Sequence, residues 1–378
     1  MICRSLLPPS LHLIFMKAEN NMKNFEKLYD GWIKNETKPT YHGWPSMIIT
    51  ESGELLAVCS GNRLSHVCPY GRVFLYRSSD CGRTWSGPEF LTSGPLDDRD
   101  AGIIVDSDGS LLLNYFTSIA FFEHDLYIYP HIRHLTKLWE PLEEKITLAE
   151  LKREHGFFMK RSTDGKNWSD KFRVPVNNVH GPIVLNDGTL FWIGKEQDPS
   201  FCSESRMGKN LIAAKSTDHG NTWETISTIP VPPGQKPELW HEAHSVQAAD
   251  GTIIIQFRNH NVEETVDYFT WQCESADGGC TWTTPHPITY GFPSHLLKLA
   301  DGRLLMSYSV RKEPFGIRVR FSNDNGKTWE NEIILTDNAP NWDVGYPSTA
   351  ELPDGSLFTL WYENRDELAQ LRYLCWKI

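Results

Sequence analysis

A short turn of fixed composition occurs five times in this chain of 378 residues and constrains its fold more than any other feature. The copy at 322–329 reads Ser-Asn-Asp-Asn-Gly-Lys-Thr-Trp, and the others follow it with small departures at 78–85, 162–168, 216–223 and 275–282. Ser and Asp oxygens accept hydrogen bonds from backbone N–H groups, Gly tolerates a positive φ, and Trp buries an apolar face under the loop. Internal repeats spaced by about 20–50 residues are typical of propellers and other repeat folds.

A second turn signal alternates with the first. Asp-Gly pairs lie between apolar, strand-like runs, which is the strongest short-range signal for a β-hairpin. These pairs occur at 108–109, 187–188, 250–251, 301–302 and 354–355, with Ser52-Gly53 as a weaker first member. There are thus six hairpins, and five of them are followed by the Ser/Asp/Trp turn. The pattern predicts an all-β fold, a six-bladed β-propeller with four strands in each blade.

The ends of the chain bear on how the ring closes. The sixth blade runs out after its third strand, and residues 23–34 are predicted to supply the fourth, which removes an open sheet edge. We therefore predict one domain over residues 23–378, preceded by a disordered or non-native extension at 1–22. The blades are expected to begin near Trp44, Ala101, Pro182, Ser245, His295 and Ser348.

The largest irregularity is the segment 119–155 in the second blade. Apolar residues recur there at helical spacing from Leu135 to Leu151, which predicts a short helical insertion. Three interpretations stand open for this insertion: a lid over a site, a partner-binding face, or a surface excursion without a role.

Composition excludes several classes of function. The net charge is −11 and no long basic run occurs, which excludes nucleic acid as a partner. No apolar run approaches the length of about 18 residues that spans a bilayer, and no convincing signal peptide begins the chain. We therefore expect a cytoplasmic protein with no membrane partner. The eight cysteines form no C-x-x-C pair, so we expect no metal site and no cofactor.

The strand order predicts where a functional site lies. Both kinds of turn fall on one face of the propeller, so the segments that enter first strands and leave second strands share the opposite face, called here the near face. Convergent polar groups at one end of a central channel predict a binding pocket. The near-face segments contain Tyr41, His42, Arg63, His66, Arg99, Asp100, Glu242, His244, Arg258, Arg311, Asp343 and Tyr346.

These repeats resemble those of the sialidase (neuraminidase) superfamily, also called BNR or Asp-box proteins, which are six-bladed β-propellers. The resemblance implies a site built from a Glu and an Arg on either side of one hairpin, which Glu242 and Arg258 match. It also implies a tyrosine nucleophile, which Tyr346 matches, with Glu242 taking the phenolic proton. Arg311 resembles the third arginine of the triad that binds a sugar carboxylate.

Two family features are absent. The family pattern has Arg-Ile-Pro at the entry to the first blade, whereas this chain has Gly43-Trp44-Pro45. The stretch 64–69, where the acid/base Asp is expected, contains no carboxylate. We therefore expect His66 or Asp100 to act on the leaving group. Arg258, Arg311, Arg63, His42, Arg99 and His244 are assigned to substrate binding.

The leading hypothesis is a sialidase-like exo-glycosidase that hydrolyses a terminal sugar other than ordinary sialic acid. One alternative is a polysaccharide lyase on the same propeller, which uses His or Tyr to abstract a proton beside a uronate carboxylate. The other is a glycan-binding propeller without catalysis. Each has a carbohydrate as its partner, and the oligomeric state is left open.

Overall fold

The computed structural model describes residues 25–33, 41–122, 145–198, 207–260, 268–366 and 368–378. Within these ranges the strands form six antiparallel sheets, five of four strands and one of five. Each sheet is a separate stretch of chain except the last, which takes one strand from the N-terminal part. This arrangement confirms the six-bladed propeller that the alternating turns predict.

The first half of the chain forms a leading strand and three blades. The leading strand is β1 (Glu26–Ile33). Blade 1 contains β2 (Tyr41–Ile49), β3 (Leu55–Arg63), β4 (Arg72–Ser78) and β5 (Ser86–Phe90). Blade 2 contains β6 (Asp97–Val105), β7 (Leu111–Ser118), β8 (Phe157–Ser162) and β9 (Phe172–Arg173). Blade 3 contains β10 (Val176–Asn177), β11 (Ile183–Val184), β12 (Leu190–Gln197), β13 (Met207–Ser216) and β14 (Glu224–Thr228).

The second half forms three more blades and closes the ring. Blade 4 contains β15 (Trp240–Gln247), β16 (Ile253–His260), β17 (Tyr268–Ser275) and β18 (His286–Tyr290). Blade 5 contains β19 (Ser294–Lys298), β20 (Leu304–Val310), β21 (Gly316–Ser322) and β22 (Ile333–Thr336). Blade 6 contains β23 (Val344–Glu351), β24 (Leu357–Arg365) and β25 (Leu368–Lys377), with β1 as its fourth strand. The N-terminal strand therefore covers the edge of β25, as predicted.

The apolar core lies between the blades. Each pair of neighbouring blades encloses its own cluster of buried aliphatic and aromatic side chains, such as Val58 with Leu113 between blades 1 and 2. Val319 and Trp361 share the cluster between blades 5 and 6. Burial between flat faces leaves the inner ends of the sheets to polar side chains, and these can form a site.

The Ser/Asp/Trp turns have the hydrogen bonds expected from their composition. In blade 1 the Ser78 hydroxyl oxygen accepts from the Gly82 N–H at 2.8 Å, and Asp80 Oδ1 accepts from the Thr84 N–H at 2.9 Å. The Trp85 indole N–H donates to the Gly82 carbonyl at 3.0 Å. The turns of blades 3, 4 and 5 repeat the serine and aspartate hydrogen bonds.

Four first strands begin earlier than predicted, because each contains a β-bulge. The pairing with the second strand slips between residues 43 and 46, 99 and 102, 241 and 244, and 345 and 348. A bulge adds one residue to a strand and redirects a side chain. The apolar run that marks a strand in the sequence starts only after the bulge, so the polar residues before it were not counted as strand.

The helical insertion is partly described. Residues 123–144 lie outside the described ranges, and so does the predicted extension at 1–22. A 3-10 turn (Ala120–Phe122) and one helix, α1 (Leu148–Glu154), belong to the insertion. The Thr147 side chain caps α1, and Glu150 completes the capping box. Across the described part of the chain, no helix has the length and apolar character needed to cross a membrane.

Candidate active site

Five residues occupy corresponding positions at the near-face ends of the first strands. Trp44, Asp100, His180, Glu242 and Tyr346 have φ values of 55°, 46°, 75°, 52° and 54°, in the left-handed region that non-glycine residues rarely adopt. Four of them lie in the β-bulges, and His180 lies between β10 and β11. Strained backbone of this kind concentrates at functional sites. The bulges therefore direct side chains from different blades toward one region.

Three of the predicted site residues are joined by hydrogen bonds. The Tyr346 hydroxyl in β23 donates to Glu242 Oε1 in β15, two blades away. Arg258 Nη1 in β16 donates to Glu242 Oε1 at 2.7 Å and to Oε2 at 2.9 Å. The structure thus brings a phenol, a carboxylate and a guanidinium into direct contact.

Charge and burial fix the protonation of this group. Burial favours the neutral carboxyl of Glu242, but the Arg258 guanidinium and its hydrogen bond, with Arg311 and Tyr346, outweigh burial and lower the pKa to about 2. Burial raises the pKa of Tyr346 well above its ordinary value, and the negative charges of Glu242 and Asp100 add to this. At neutral pH an ionised carboxylate therefore accepts a hydrogen bond from a neutral phenol, and that arrangement can remove the phenolic proton.

Arg311 lies beside the same tyrosine. Its Nε–H donates to the Val344 carbonyl at 3.0 Å, and its guanidinium carbon is 5.4 Å from the centre of the Tyr346 ring. Burial opposes its charge, yet Tyr362, Tyr346 and Glu242 raise the pKa of Arg311 above its ordinary value. Arg311 therefore keeps a positive charge at the wall of the site.

Asp100 is a second carboxyl group near the trio. It is partly exposed, and among the described residues its Oδ1 has no hydrogen-bond partner. Burial raises the pKa of Asp100 to about 6, with Arg99 opposing this rise and Glu242 adding to it. Asp100 can therefore donate and accept a proton close to neutral pH, whereas Glu242 stays ionised.

His66 and Arg99 meet at the indole of Trp44. The Trp44 ring lies edge to face with His66 at 4.9 Å and with Tyr346 at 6.4 Å, and the Arg99 guanidinium is 4.5 Å from its centre. Burial lowers the pKa of His66 to about 3, and the charge of Arg99 contributes. His66 is therefore neutral at physiological pH. A neutral imidazole is a weaker acid than a protonated one, so the proton transfer to a leaving group that the sequence predicts for His66 or Asp100 suits Asp100 better.

Two predicted binding residues point into the blades. Arg63 is 0% exposed, and its Nη2 donates to Asp97 Oδ2 at 2.8 Å in a buried ion pair. His42 is buried, with its Nδ1 3.0 Å from the Tyr76 hydroxyl. These side chains contribute to the packing of blades 1 and 2, and the Arg63 guanidinium also lies 4.9 Å from the centre of the Trp44 ring.

His244 belongs to a separate cluster of three histidines. The ring centres of His180, His244 and His295 lie 4.6–5.1 Å apart, and all three side chains are buried. His244 Nδ1 accepts from the Leu296 N–H at 2.9 Å. A neutral ring then carries its proton on Nε2 and has no second lone pair for a metal ion.

Tyr41 and Asp343 lie among the near-face polar residues, and the sequence pattern predicts no role for them. Asp343 accepts hydrogen bonds from the Tyr41 hydroxyl at 3.0 Å and from the Tyr362 hydroxyl at 2.7 Å. Tyr41 also lies 3.2 Å from His66 Nδ1, and Arg311 Nη2 lies 3.5 Å from the Tyr362 oxygen. A buried carboxylate thus links blades 1, 5 and 6. Its partners are about 300 residues apart in sequence, so no local pattern predicts the contact.

In the described ranges, one group of acidic and histidine side chains is close enough to share a cation. It consists of Asp106, Asp108 and His219, on the face of the Asp-Gly hairpins. Arg161 donates to Asp108 and lies 3.9 Å from Asp106 Oδ2, and His219 Nδ1 is 3.0 Å from that oxygen. The Arg161 guanidinium already pairs with these carboxylates, so we assign no metal to the group.

The fold and the near-face contacts define a six-bladed propeller with a cluster of polar side chains at the near-face ends of its first strands. Residues 138–359, more than half of the chain, match the family described as a BNR repeat-like domain. The chain therefore belongs to this BNR repeat family, and its fold is that of the sialidase-like six-bladed propellers. No curated protein matches the chain.

Several solved structures share the fold. A protein of unknown function from Dyadobacter fermentans superimposes with a TM-score of 0.74 at 22% identity, over 94% of this chain and 99% of that one. The NanB sialidase of Streptococcus pneumoniae gives a TM-score of 0.63 at 14% identity, over 97% of this chain and 72% of that one. The intramolecular trans-sialidase of Ruminococcus gnavus gives a TM-score of 0.64 at 15% identity, over 92% of this chain and 96% of that one. At these identities the likeness establishes the fold.

Proposed function

We propose that this protein is an exo-acting glycosidase that hydrolyses a terminal sugar other than ordinary sialic acid. The observation that carries the proposal is the hydrogen-bonded trio of Tyr346, Glu242 and Arg258. It combines a nucleophile, a base for that nucleophile and a cation that keeps the base ionised. The likeness to sialidase structures supports a carbohydrate as the substrate.

The proposed reaction has two displacements. In the first, the Tyr346 oxygen attacks the anomeric carbon and Glu242 takes the phenolic proton. The bond to the leaving oxygen breaks, and Asp100 gives that oxygen a proton. In the second, water attacks the anomeric carbon and the bond from that carbon to the Tyr346 oxygen breaks. Asp100 takes a proton from the water, and Glu242 returns a proton to the Tyr346 oxygen. Two displacements retain the configuration of the sugar.

Asp100 suits the proton transfer better than His66. A general acid works best when its pKa lies near the working pH. The pKa of Asp100 is raised to about 6, so a useful fraction of it is protonated near neutral pH. The pKa of His66 is lowered to about 3, so its ring is neutral under those conditions, and a neutral imidazole is a much weaker acid than an imidazolium.

The cations of the site favour a substituent rich in oxygen atoms. Arg311 lies over the ring of the nucleophile Tyr346, Arg258 pairs with Glu242, and Arg99 lies over the ring of Trp44. The family pattern has an arginine at the position of Gly43. Without it the chain lacks part of a three-arginine clamp, and a bidentate grip on a carboxylate depends on guanidinium geometry. This difference supports a sugar other than sialic acid as the substrate.

The test is a screen of chromogenic glycosides and uronate oligomers with the wild-type protein and the Glu242→Gln variant. We expect one glycoside to be hydrolysed, and we expect Glu242→Gln to lower kcat by roughly 10²–10⁴-fold because the amide cannot take the proton of Tyr346. Glu332→Gln is a matched control, because Glu332 accepts from the Tyr308 hydroxyl at 2.9 Å in blade 5, away from the trio. Full activity in Glu242→Gln would refute the proposed mechanism.

The same screen separates the other two functions. A rise in ultraviolet absorbance with a uronate oligomer would mark an unsaturated product, and the protein would then be a lyase. Glycan binding without any product would mark a binding propeller. Either outcome replaces the hydrolase proposal.

A further inference from the structure

Asp343 anchors a line of hydrogen bonds that ends at a partly exposed histidine. Asp343 is only 2% exposed and lies at the entry to β23. Tyr41 donates to both of its oxygens, at 3.1 Å and 3.0 Å, and Asn364 donates to Oδ2 at 2.9 Å. On its other side the Tyr41 oxygen lies 3.2 Å from His66 Nδ1. The other ring nitrogen of His66, Nε2, lies 3.5 Å from Arg99 Nη2.

The direction of these hydrogen bonds follows from the donors available. A phenol has one proton, and Tyr41 gives it to the carboxylate of Asp343, so the Tyr41 oxygen can only accept from His66. His66 must then carry its proton on Nδ1. A guanidinium has donors and no acceptor, so Arg99 faces the lone pair on Nε2. Every link in the line therefore requires the same tautomer of the imidazole.

We propose that Asp343 and Tyr41 are positioning residues that hold His66 with its proton on Nδ1, so that Nε2 accepts a hydrogen bond from a hydroxyl group of an uncharged sugar. The proposal rests on the function of this site in binding a sugar. A sugar hydroxyl can take the place of the long 3.5 Å contact between Arg99 and Nε2, donating to Nε2 and accepting from Arg99, whereas an ionised carboxylate has no proton to donate. The pair of His66 and Arg99 thus selects a hydroxyl over a carboxylate.

The surroundings of Gly43 agree with this selection. A Cβ atom at residue 43 would lie 3.2 Å from the Tyr41 ring and 3.8 Å from the Tyr362 ring. The two phenols that donate to Asp343 therefore fill the space beside the backbone where the family pattern has an arginine. A buried carboxylate with its phenols replaces a cation at this wall, which disfavours an anionic substituent.

The tautomer of His66 is measured first. Protein labelled with ¹⁵N-histidine, with His66 assigned through a His66→Gln variant, should show Nδ1 protonated and Nε2 unprotonated near neutral pH. Tyr41→Phe removes the acceptor of the Nδ1 proton and should move His66 toward the other tautomer. Tyr76→Phe is the matched control, because it breaks a similar contact of 3.0 Å to His42 Nδ1 in the same blade and should leave the His66 signal unchanged. A protonated Nε2 in the wild type, or an unchanged His66 signal in Tyr41→Phe, would overturn the proposal.

Sugar selection is measured by titrating the same labelled protein with methyl hexopyranosides and the matching uronates. At least one neutral glycoside should shift the Nε2 signal of His66 more than its uronate does. Tyr41→Phe should bind that glycoside about tenfold more weakly, as expected for the loss of one well-placed hydrogen bond. A larger response to the uronate, or no response to any neutral glycoside, would overturn the selection of a hydroxyl. This readout needs no turnover, so it is independent of the Glu242→Gln result.

Discussion

At the scale of single residues, the two carboxyl groups of the site differ in their surroundings. Glu242 receives two hydrogen bonds from Arg258, whereas Asp100 has an oxygen without a hydrogen-bond partner among the described residues. The first environment keeps a carboxylate ionised, and the second favours a proton on the carboxyl. In the proposed mechanism this difference assigns Glu242 to accept the proton of Tyr346 and Asp100 to protonate the leaving oxygen.

A pH profile tests this division of roles. Because Asp100 must be protonated to act first, we expect kcat/KM to fall as pH rises through about 6, where burial has raised its pKa. Glu242, with a pKa lowered to about 2, should add no acid limb in the range where the protein stays folded. Asp100→Asn should remove the fall at high pH and should slow poor leaving groups more than activated aryl groups.

Asp98→Asn is the control for that profile. Asp98 is a buried residue two positions before Asp100, and burial raises its pKa to about 6 as well. It is not in contact with the trio, so its variant should keep the same fall of kcat/KM with pH. If the fall persists in Asp100→Asn, the leaving-group proton comes from another residue.

The sequence predicted that Glu242, Arg258 and Tyr346 lie close together, and the structure shows hydrogen bonds among them. Glu242 and Arg258 flank one hairpin, and Tyr346 enters the last blade, so their positions follow from the repeat. Neighbouring side chains in a strand point to opposite faces, and this alternation separates His42, which lies inside blade 1, from Tyr41, which contacts Asp343. Which of two adjacent polar residues faces the site depends on bulges, and no residue spacing in the sequence marks them.

At the scale of structural elements, the Ser/Asp/Trp turns of blades 1 and 5 also pack closely against the preceding blades. A Cβ atom on Gly82 in blade 1 would lie 2.2 Å from the Phe358 ring in blade 6, and one on Gly326 in blade 5 would lie 2.5 Å from Ile254 in blade 4. Trp85 lies 6.0 Å from the same Phe358 ring. The turn glycine is therefore required for its conformation and for close packing between blades. The turn composition predicts the need for a positive φ at this glycine, but it does not predict the close packing against the preceding blade.

A pair of glycine substitutions separates these two effects. Gly53 and Gly82 both have φ of 83°, but a Cβ on Gly53 would meet no atom within 4 Å. Gly53→Ala should therefore cost only the left-handed backbone penalty, about 1–2 kcal/mol. Gly82→Ala should cost about 1–3 kcal/mol more, because the methyl group also displaces Phe358. Thermal and urea unfolding of the two variants measure the difference, and equal losses of stability would rule out the packing role.

At the scale of the whole molecule, the histidines of three successive blades meet one another. His180 comes from the link before β11, His244 from β15 and His295 from β19. Burial lowers the pKa of all three below the ordinary value of 6.5, and for His180 and His244 the neighbouring imidazoles add to this effect. Burial raises the pKa values of Asp98 and Asp100, so these two carboxyl groups stabilise the fold as the pH falls, opposite to the histidines. The contact between blades 3, 4 and 5 therefore favours neutral imidazole rings.

This cluster predicts that acid loosens the ring of blades. Below pH 6.5 the unfolded chain binds protons that the folded cluster resists, so the stability contributed by neutral rings is present above pH 6.5 and is lost as pH falls toward about 3, the pKa of His295. His180→Asn keeps a polar group that tolerates positive φ and removes one titrating ring. Its melting temperature should fall less than that of the wild type between about pH 7.5 and about pH 5. His286→Asn, at an exposed histidine, should follow the wild type. Parallel curves for His180→Asn and the wild type would mean that the cluster does not set the acid limit of the fold.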